Sequence, residues 1–428
     1  IRLRIAKLYT EEQRFEDAAQ QLEQVLRTDP STFFGAKPNY WLLTQTYLKQ
    51  KKTDRLAALL RGITPKSLLG SKKLFRKKRE TLVTSIVNFA KEGSRNAAFD
   101  PEVPLALCSL AEQIMPSRHF RDQFGIEIYS IRGQALERKE AHEEAMKSYL
   151  CCVVDQDFNQ LLDVETPIVV SPNPLHAFNW AREGANATIL RTVKSAAACG
   201  RLEDLENVAL QRAEEGDPAA ALLLILCRIH NASEHPVEPW FELAMKYAGK
   251  RRGRNNAEMD RINKSVIIGQ AYVNCGRSDL AVELFEAVLK NSSLKRNSGI
   301  ETSVLTYFTR ACKEADEKDR AREFLLASLE ESRTQSAFQP NAAALRFQRA
   351  ISIMEQLQGM GFYVEALNVA HTLGSEKVPQ HQEHFRRRAT QFVDKIRKDR
   401  FPAMVRAGEL DEIIASAEQE VDENPDDS

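Results

Sequence analysis

The chain has 428 residues carrying 60 basic and 60 acidic side chains, a balance that lacks the basic excess of a dedicated nucleic-acid binder. Its length exceeds what one hydrophobic core serves, so several domains or a repeat array are expected. Few Gly and Pro residues among abundant Ala, Leu, Glu, Arg and Gln favour helix nearly throughout.

The first pair of elements lies in IAKLYTEEQRFEDAAQQLEQVLRTDP, where Ala6, Tyr9, Ala18, Leu22 and Val25 fall at helical spacing before the stop at Pro30. A weaker copy follows in Thr44, Tyr47, Leu56 and Leu60. Residues 73–92 and 102–115 read as two amphipathic segments separated by a Gly/Asn/Asp-Pro loop. The order returns in Gly133, Leu136, Ala145, Tyr149 and Cys152. Thr166-Pro167 and Ser171-Pro172-Asn173-Pro174 then forbid a continuous helix, which places an irregular loop at 155–177. A second weak copy is Val193, Ala196, Leu205 and Ala209.

In residues 216–250, Asp217-Pro218 reads as a cap followed by the first helical residue. The pattern breaks at HNASEHP and resumes in a helix with Trp240, Leu243, Ala244 and Tyr247 inward. After a hydrophilic joint at 249–261, the clearest copy runs through Gly269, Tyr272, Ala281, Phe285 and Val288. Thr309, Cys312, Ala321, Leu325 and Ser328 follow, then Met354, Leu357, Ala366, Ala370 and Leu373. The segment from Glu409 onward is acidic without a basic residue, and a last helix near 409–420 with a disordered end is expected. The division is therefore 1–154 and 178–260 as helical repeats around the 155–177 loop, 261–375 as further repeats, and 376–428 as terminal helices and tail.

Each unit is an apolar stripe that stops at a polar turn and restarts, the pattern of two helices folded back on each other. The small residue in each helix lets the backbones approach, and the ring or leucine beside it fills the groove. One such hairpin cannot cover its own apolar face, so the units must stack into an all-α solenoid. The pattern resembles the tetratricopeptide repeat. Ala6, Tyr9, Phe15, Ala18, Ala19, Leu22, Val25 and Pro30 carry it almost completely, and the 262–290 unit adds Gly276 at the turn. Ala281, Ala321 and Ala366 lie further apart than the family's period of about 34 residues, which implies longer helices or connections.

No residues arranged for catalysis stand out, so an enzyme is not expected, nor a cofactor or metal. No phosphate loop occurs, and His381 and His384 lack zinc-protease spacing. His230 and His235 flank a turn with Glu234 and read as surface. The seven cysteines form no CxxC pair, sit mostly in apolar patterns and suggest a reducing, cytoplasmic compartment. The longest apolar run, Ala219 to Cys227, is far short of the roughly 20 residues that span a bilayer. An opening on Ile1 suggests an excised piece, so a targeting segment outside it stays open.

Residues between the packed positions of each first helix point away from the hairpin. These are Asn263, Gln270 and Asn274; Tyr307, Arg310 and Lys313; Gln348, Glu355 and Gln358; Lys7, Trp41, Gln45 and Lys49; and Gln134, Glu137 and Arg138. The resemblance implies that they line a concave groove for a peptide or a partner's helix. Family members that clamp acidic chaperone tails use a lysine and an asparagine that Leu3 and Leu42 replace here, so that activity is not implied. The expected function is a non-enzymatic protein-binding scaffold. Two alternatives stand beside it. One is an RNA-binding repeat protein using Lys72, Lys73, Arg76, Lys77, Lys78 and Arg79 with Lys250, Arg251, Arg252 and Arg254. The other is the sensor or assembly arm of a larger enzyme.

Overall fold

The computed structural model describes residues 1–35, 39–69, 76–115, 118–153, 162, 183–232, 237–246, 254–290, 298–335, 342–375, 383–407 and 414. Among these the chain forms twenty-one α-helices and no strand. It divides into two compact units, Ile1–Gly253 and Arg254–Ser428. No helix among the described residues is long and apolar enough to cross a membrane. The loop at 155–177 lies outside the described residues except for Leu162, and so does the helix expected at 409–420 except for Ile414.

The first unit contains α1 (Arg2–Glu11), α2 (Phe15–Thr28), α3 (Ser31–Phe34), α4 (Tyr40–Gln50), α5 (Thr53–Arg61), α6 (Pro65–Leu69), α7 (Arg76–Arg95) and α8 (Glu102–Ile114). It continues with α9 (Arg118–Glu137), α10 (His142–Val153), α11 (Glu183–Ala198), α12 (Leu202–Glu214), α13 (Pro218–His230) and α14 (Glu238–Ala244). The second unit contains α15 (Arg254–Asn274), α16 (Ser278–Leu289), α17 (Ser298–Glu314), α18 (Lys318–Gln335), α19 (Ala342–Met360), α20 (Tyr363–Ser375) and α21 (Glu383–Ala407). Neighbouring helices pair as hairpins, and α4 packs on α2, α11 on α10 and α17 on α16, so each hairpin covers the apolar face its predecessor leaves open.

Seven hairpins close in one way, and the α12–α13 turn at Gly216 (φ 90), where the Asp217 amide donates to Arg212 at 3.1 Å, closes likewise. The turn residue is left-handed in each: Gln13 (φ 62), Lys51 (57), Glu140 (60), Gly200 (74), Gly276 (74), Asp316 (59) and Gly361 (99). The amide after it donates to the carbonyl five residues back: Arg14 to Tyr9, Lys52 to Tyr47, Ala141 to Leu136, Arg201 to Ala196, Arg277 to Tyr272, Glu317 to Cys312 and Phe362 to Leu357, all at 2.8–3.1 Å. This six-to-one bond satisfies carbonyls that the end of the first helix leaves without an intrahelical partner. The second helix starts two residues past the turn residue each time. One turn geometry therefore fixes one packing register.

Ala6, Ala18, Ala145, Ala281, Ala321, Ala366 and Phe285 have no exposed surface. Tyr9 and Tyr272 are half-buried, and the Arg14 guanidinium lies 4.4 Å from the centre of the Tyr9 ring. Gly269 serves a ring rather than the facing alanine, because a Cβ placed on it would lie 2.5 Å from Phe285 Cζ. Gly133 meets Tyr149 in the same way. The extra length expected in the later repeats lies in helices α17, α18 and α19, of 17, 18 and 19 residues.

Asp217 caps α13 as the sequence predicts, its carboxylate accepting from the Ala219 amide at 2.9 Å and the Ala220 amide at 3.4 Å. In α14, Ala244 is buried while Trp240 and Leu243 are only half-buried; Tyr247 lies outside the described residues.

The α7–α8 hairpin is built differently. Its loop, 96–101, has no left-handed residue. Asn96 Oδ1 accepts from the Ala98 amide at 3.0 Å, and Asp100 Oδ1 accepts from the Glu102 amide at 2.8 Å. Phe89 anchors the hairpin by stacking on Tyr40 at 4.9 Å and meeting the edge of Phe99 at 6.3 Å.

Candidate functional site

Seven residues before the left-handed turn residue the first helices place Ala6, Thr44, Gly133, Val193, Gly269, Thr309 and Met354, and four before it Tyr9, Tyr47, Leu136, Ala196, Tyr272, Cys312 and Leu357; both positions face the second helix. A residue six before the turn is rotated about 100° from the one and about 200° from the other, so it points away from the hairpin. In the first unit that position holds Lys7, Gln45, Gln134 and Lys194, and in the second Gln270, Arg310 and Glu355. Every one is polar, although the packing requires none of them. Lys7, Gln45, Lys194, Arg310 and Glu355 are exposed, while Gln134 and Gln270 are half-buried.

The first helices of successive hairpins are tied to one another along this face. Ser94 of α7 donates to Gln134 Oε1 of α9 at 3.2 Å. Glu137 of α9 takes Ser195 at 3.2 Å and Arg191 at 2.5 Å, both from α11. In the second unit, Thr309 of α17 donates to Gln356 of α19 at 2.6 Å, and Arg388 of α21 bridges Glu355 at 2.6 Å. Part of the expected groove lining is therefore occupied by internal contacts: Gln134, Glu137 and Glu355. Arg138 likewise turns onto the backbone, donating to the carbonyls of Gly93 (3.0 Å), Ala97 (3.3 Å) and Phe99.

The remaining expected residues divide as follows. Trp41 is 40% exposed, and Lys49, Asn274, Lys313 and Gln348 are exposed. Tyr307 is half-buried, its ring stacked on Phe285 at 6.1 Å, so only part of it faces outward. Asn263 is a correction. It is only 7% exposed, in a stretch of α15 where Asp260 and Lys264 form a buried 2.8 Å pair, so it offers nothing to a ligand on the surface.

The structure also shows a feature that sequence reasoning did not single out. A cleft of about 580 Å³ opens on the C-terminal half of α7, lined by Asn88, Lys91, Glu92, Arg95, Asn96 and Ala97. Lys91 bridges Glu127 of α9 at 2.7 Å. The repeat order is missing from residues 76–115, so no register pointed here. Lys194 was legible in principle, because it follows Val193 in a weak copy.

The cysteines are free thiols, and five of the seven are buried. Burial pushes Cys108, Cys151 and Cys312 up to about 12, and it raises Cys152 and Cys227 well above the ordinary thiol value too. Thiols so raised stay protonated at neutral pH and are poor nucleophiles. Burial and nearby Lys194 lower His230, whereas His235 and Glu234 lie outside the described residues. His384 is the exposed second residue of α21, and His381 lies outside the described residues. Among the described residues no three His, Cys, Asp or Glu side chains come together as a metal site would need.

Of the basic segments, Lys72, Lys73, Lys250, Arg251 and Arg252 lie outside the described residues. Arg76, Lys77 and Lys78 open α7, and Arg254 opens α15, with their side chains likewise outside. Arg79 is half-buried.

Residues 266–293 match the family described as Tetratricopeptide repeat, a span that contains the end of α15, the Gly276 turn and α16. No curated protein and no solved structure matches the chain.

Proposed function

We propose that the chain is a non-enzymatic protein-interaction scaffold that holds an extended peptide or a partner's helix along the face of its first helices. The observation that carries this is the recurrence of a polar side chain six residues before the turn residue in seven of the eight turns closed by the six-to-one bond, the α12–α13 turn at Gly216 having Leu210 there. Packing accounts for the residues on either side of that position but not for its polarity. Side chains at a constant interval can hydrogen-bond successive groups of an extended ligand. The tetratricopeptide match adds support, since such repeats are generally non-catalytic interaction modules.

The test uses capture of partners by the full chain. Changing Gln270, Arg310 and the exposed Lys313 together to alanine is expected to abolish capture of partners that the wild-type chain retains. Changing Glu283, exposed on the second helix α16, is expected to leave capture intact. Partners that survive the triple change unaltered sink the reading.

A further inference from the structure

We propose, building on the scaffold reading above, that the cleft on α7 selects the partner: it takes an extended peptide segment carrying one acidic and one basic side chain two residues apart. The cleft belongs to the face of the first helices. On one side Phe89 of α7 stacks on Tyr40 of α4, and on the other Ser94 holds Gln134, the outward polar residue of α9. The α7–α8 hairpin lacks the turn that sets the register elsewhere. Its first helix still offers polar groups here, because Asn88, Lys91, Glu92 and Arg95 fall at spacings of three and four on one side of α7.

The charges in the cleft identify the occupant. Lys91 is neutralised by Glu127 at 2.7 Å. Glu92 and Arg95 are exposed, and neither has an ion-pair partner among the described residues. The free charges are thus one acid and one base, a balance that suits neither a nucleic acid nor a run of acidic residues. Arg95 suits the end of the helix, but Glu92 lies in the last turn, where the dipole disfavours an acid, so the helix itself gives no reason for it. The amides set the length. Asn88 and Asn96 are eight residues apart, about 12 Å along the axis, which about four residues of extended chain cover and a single amino acid does not. Asn96 Oδ1 accepts from the Ala98 amide, which leaves its Nδ2 to donate to a peptide carbonyl, while the exposed Asn88 can both donate and accept. Glu92 and Arg95 lie about 4.5 Å apart along the axis. On an extended chain the nearest side chains that share a face are two residues apart, about 6.6 Å, and these meet the pair best.

Fluorescence anisotropy of the full chain with short labelled peptides, blocked at both ends, provides the test. The peptides share an uncharged Ser/Gly/Ala frame and carry Asp-x-Lys, Lys-x-Asp, Asp-x-Asp or Lys-x-Lys at the centre, and a short oligouridine serves as the polyanion. The wild-type chain is expected to bind one of the two mixed-charge orders at least about tenfold more tightly than every other probe. Exchanging the charges, Glu92→Arg with Arg95→Glu, is expected to reverse the preference between the two orders, with helicity unchanged because both side chains are exposed. Asn88→Ala is expected to weaken both orders alike. Equal binding of all peptides, binding of none, or tightest binding of Asp-x-Asp or the RNA overturns the proposal, and so does an order preference that survives the exchange. The Gln270/Arg310/Lys313 variant separates this site from the wider groove. Partner capture that is lost in that variant but untouched by the charge exchange sinks the α7 assignment alone. Capture that survives in it, with the peptide preference reversed by the exchange, sinks the wider groove and keeps this site.

Discussion

The hairpins α15–α16 and α7–α8 are the same object in outline, two antiparallel amphipathic helices, yet they are closed by different physics. In α15–α16 closure is local: Gly276 turns left-handed, Arg277 bonds back to Tyr272, and Gly269 lets the Phe285 ring lie against the backbone. In α7–α8 closure is long-range. The loop carries its own side-chain caps, but its carbonyls are held by Arg138 from α9, and Glu102 at the start of α8 is held by Arg61 and Lys139. Local closure leaves a readable mark in twenty-odd residues, and it is here that the family match falls. Long-range closure leaves its mark on residues some forty positions away.

The sharpest way to break this comparison is to enlarge one glycine in each hairpin. Gly269→Leu must displace the Phe285 ring or part the helices, and a loss of about 3 kcal/mol or more is expected in urea unfolding. Gly93 lies in α7, where an added Cβ would meet Pro104 Cδ at 3.5 Å, an ordinary contact. Gly93→Ala should therefore stabilise by about 0.5–1 kcal/mol, the gain in helix propensity. If Gly269→Leu left the unfolding midpoint and helicity unchanged, the packing account of the repeat would fail.

Removing the long-range clamp comes next. Arg138→Ala takes charge-assisted donors from three carbonyls, and a loss of about 2 kcal/mol is expected. Hydrogen exchange should localise that loss to residues 93–101 and leave the Gly276 turn protected. Equal loss of protection in both hairpins would show that the clamp is not what distinguishes them.

The same contrast explains what could be read from the chain alone. Ala6, Ala145, Ala281 and Ala366 were legible as packing residues because helix–turn–helix periodicity is a property of neighbouring residues, and the face pointing away from the hairpin follows from it by geometry. Gln45, Gln270 and Arg310 were reached that way. Asn263 was misplaced because the buried Asp260–Lys264 pair shows that α15 is covered beyond the part that the hairpin pattern accounts for. The α7 cleft and the Arg138 clamp were not legible, since they depend on which distant residues meet. The Gly–ring contacts lie between these cases: the spacing named both partners, and only the coordinates paired them with each other.

The smallest effect concerns the carboxylate that ties α8 to its neighbours. Hydrogen bonding from Lys139, reinforced by Arg61, lowers the Glu102 carboxyl below its ordinary value. A group whose folded-state pKa is depressed adds stability above its unfolded pKa, and this is lost as pH falls through the folded value. Glu102→Gln should therefore lower stability by a few tenths to about 1 kcal/mol at neutral pH, because the pair is partly exposed and screened. The difference between variant and wild type should shrink as pH falls below about 4.3, the usual glutamate range. Urea midpoints of both chains at neutral and acid pH measure it. A gap that stays constant with pH would assign the cost to lost packing at the start of α8 rather than to charge.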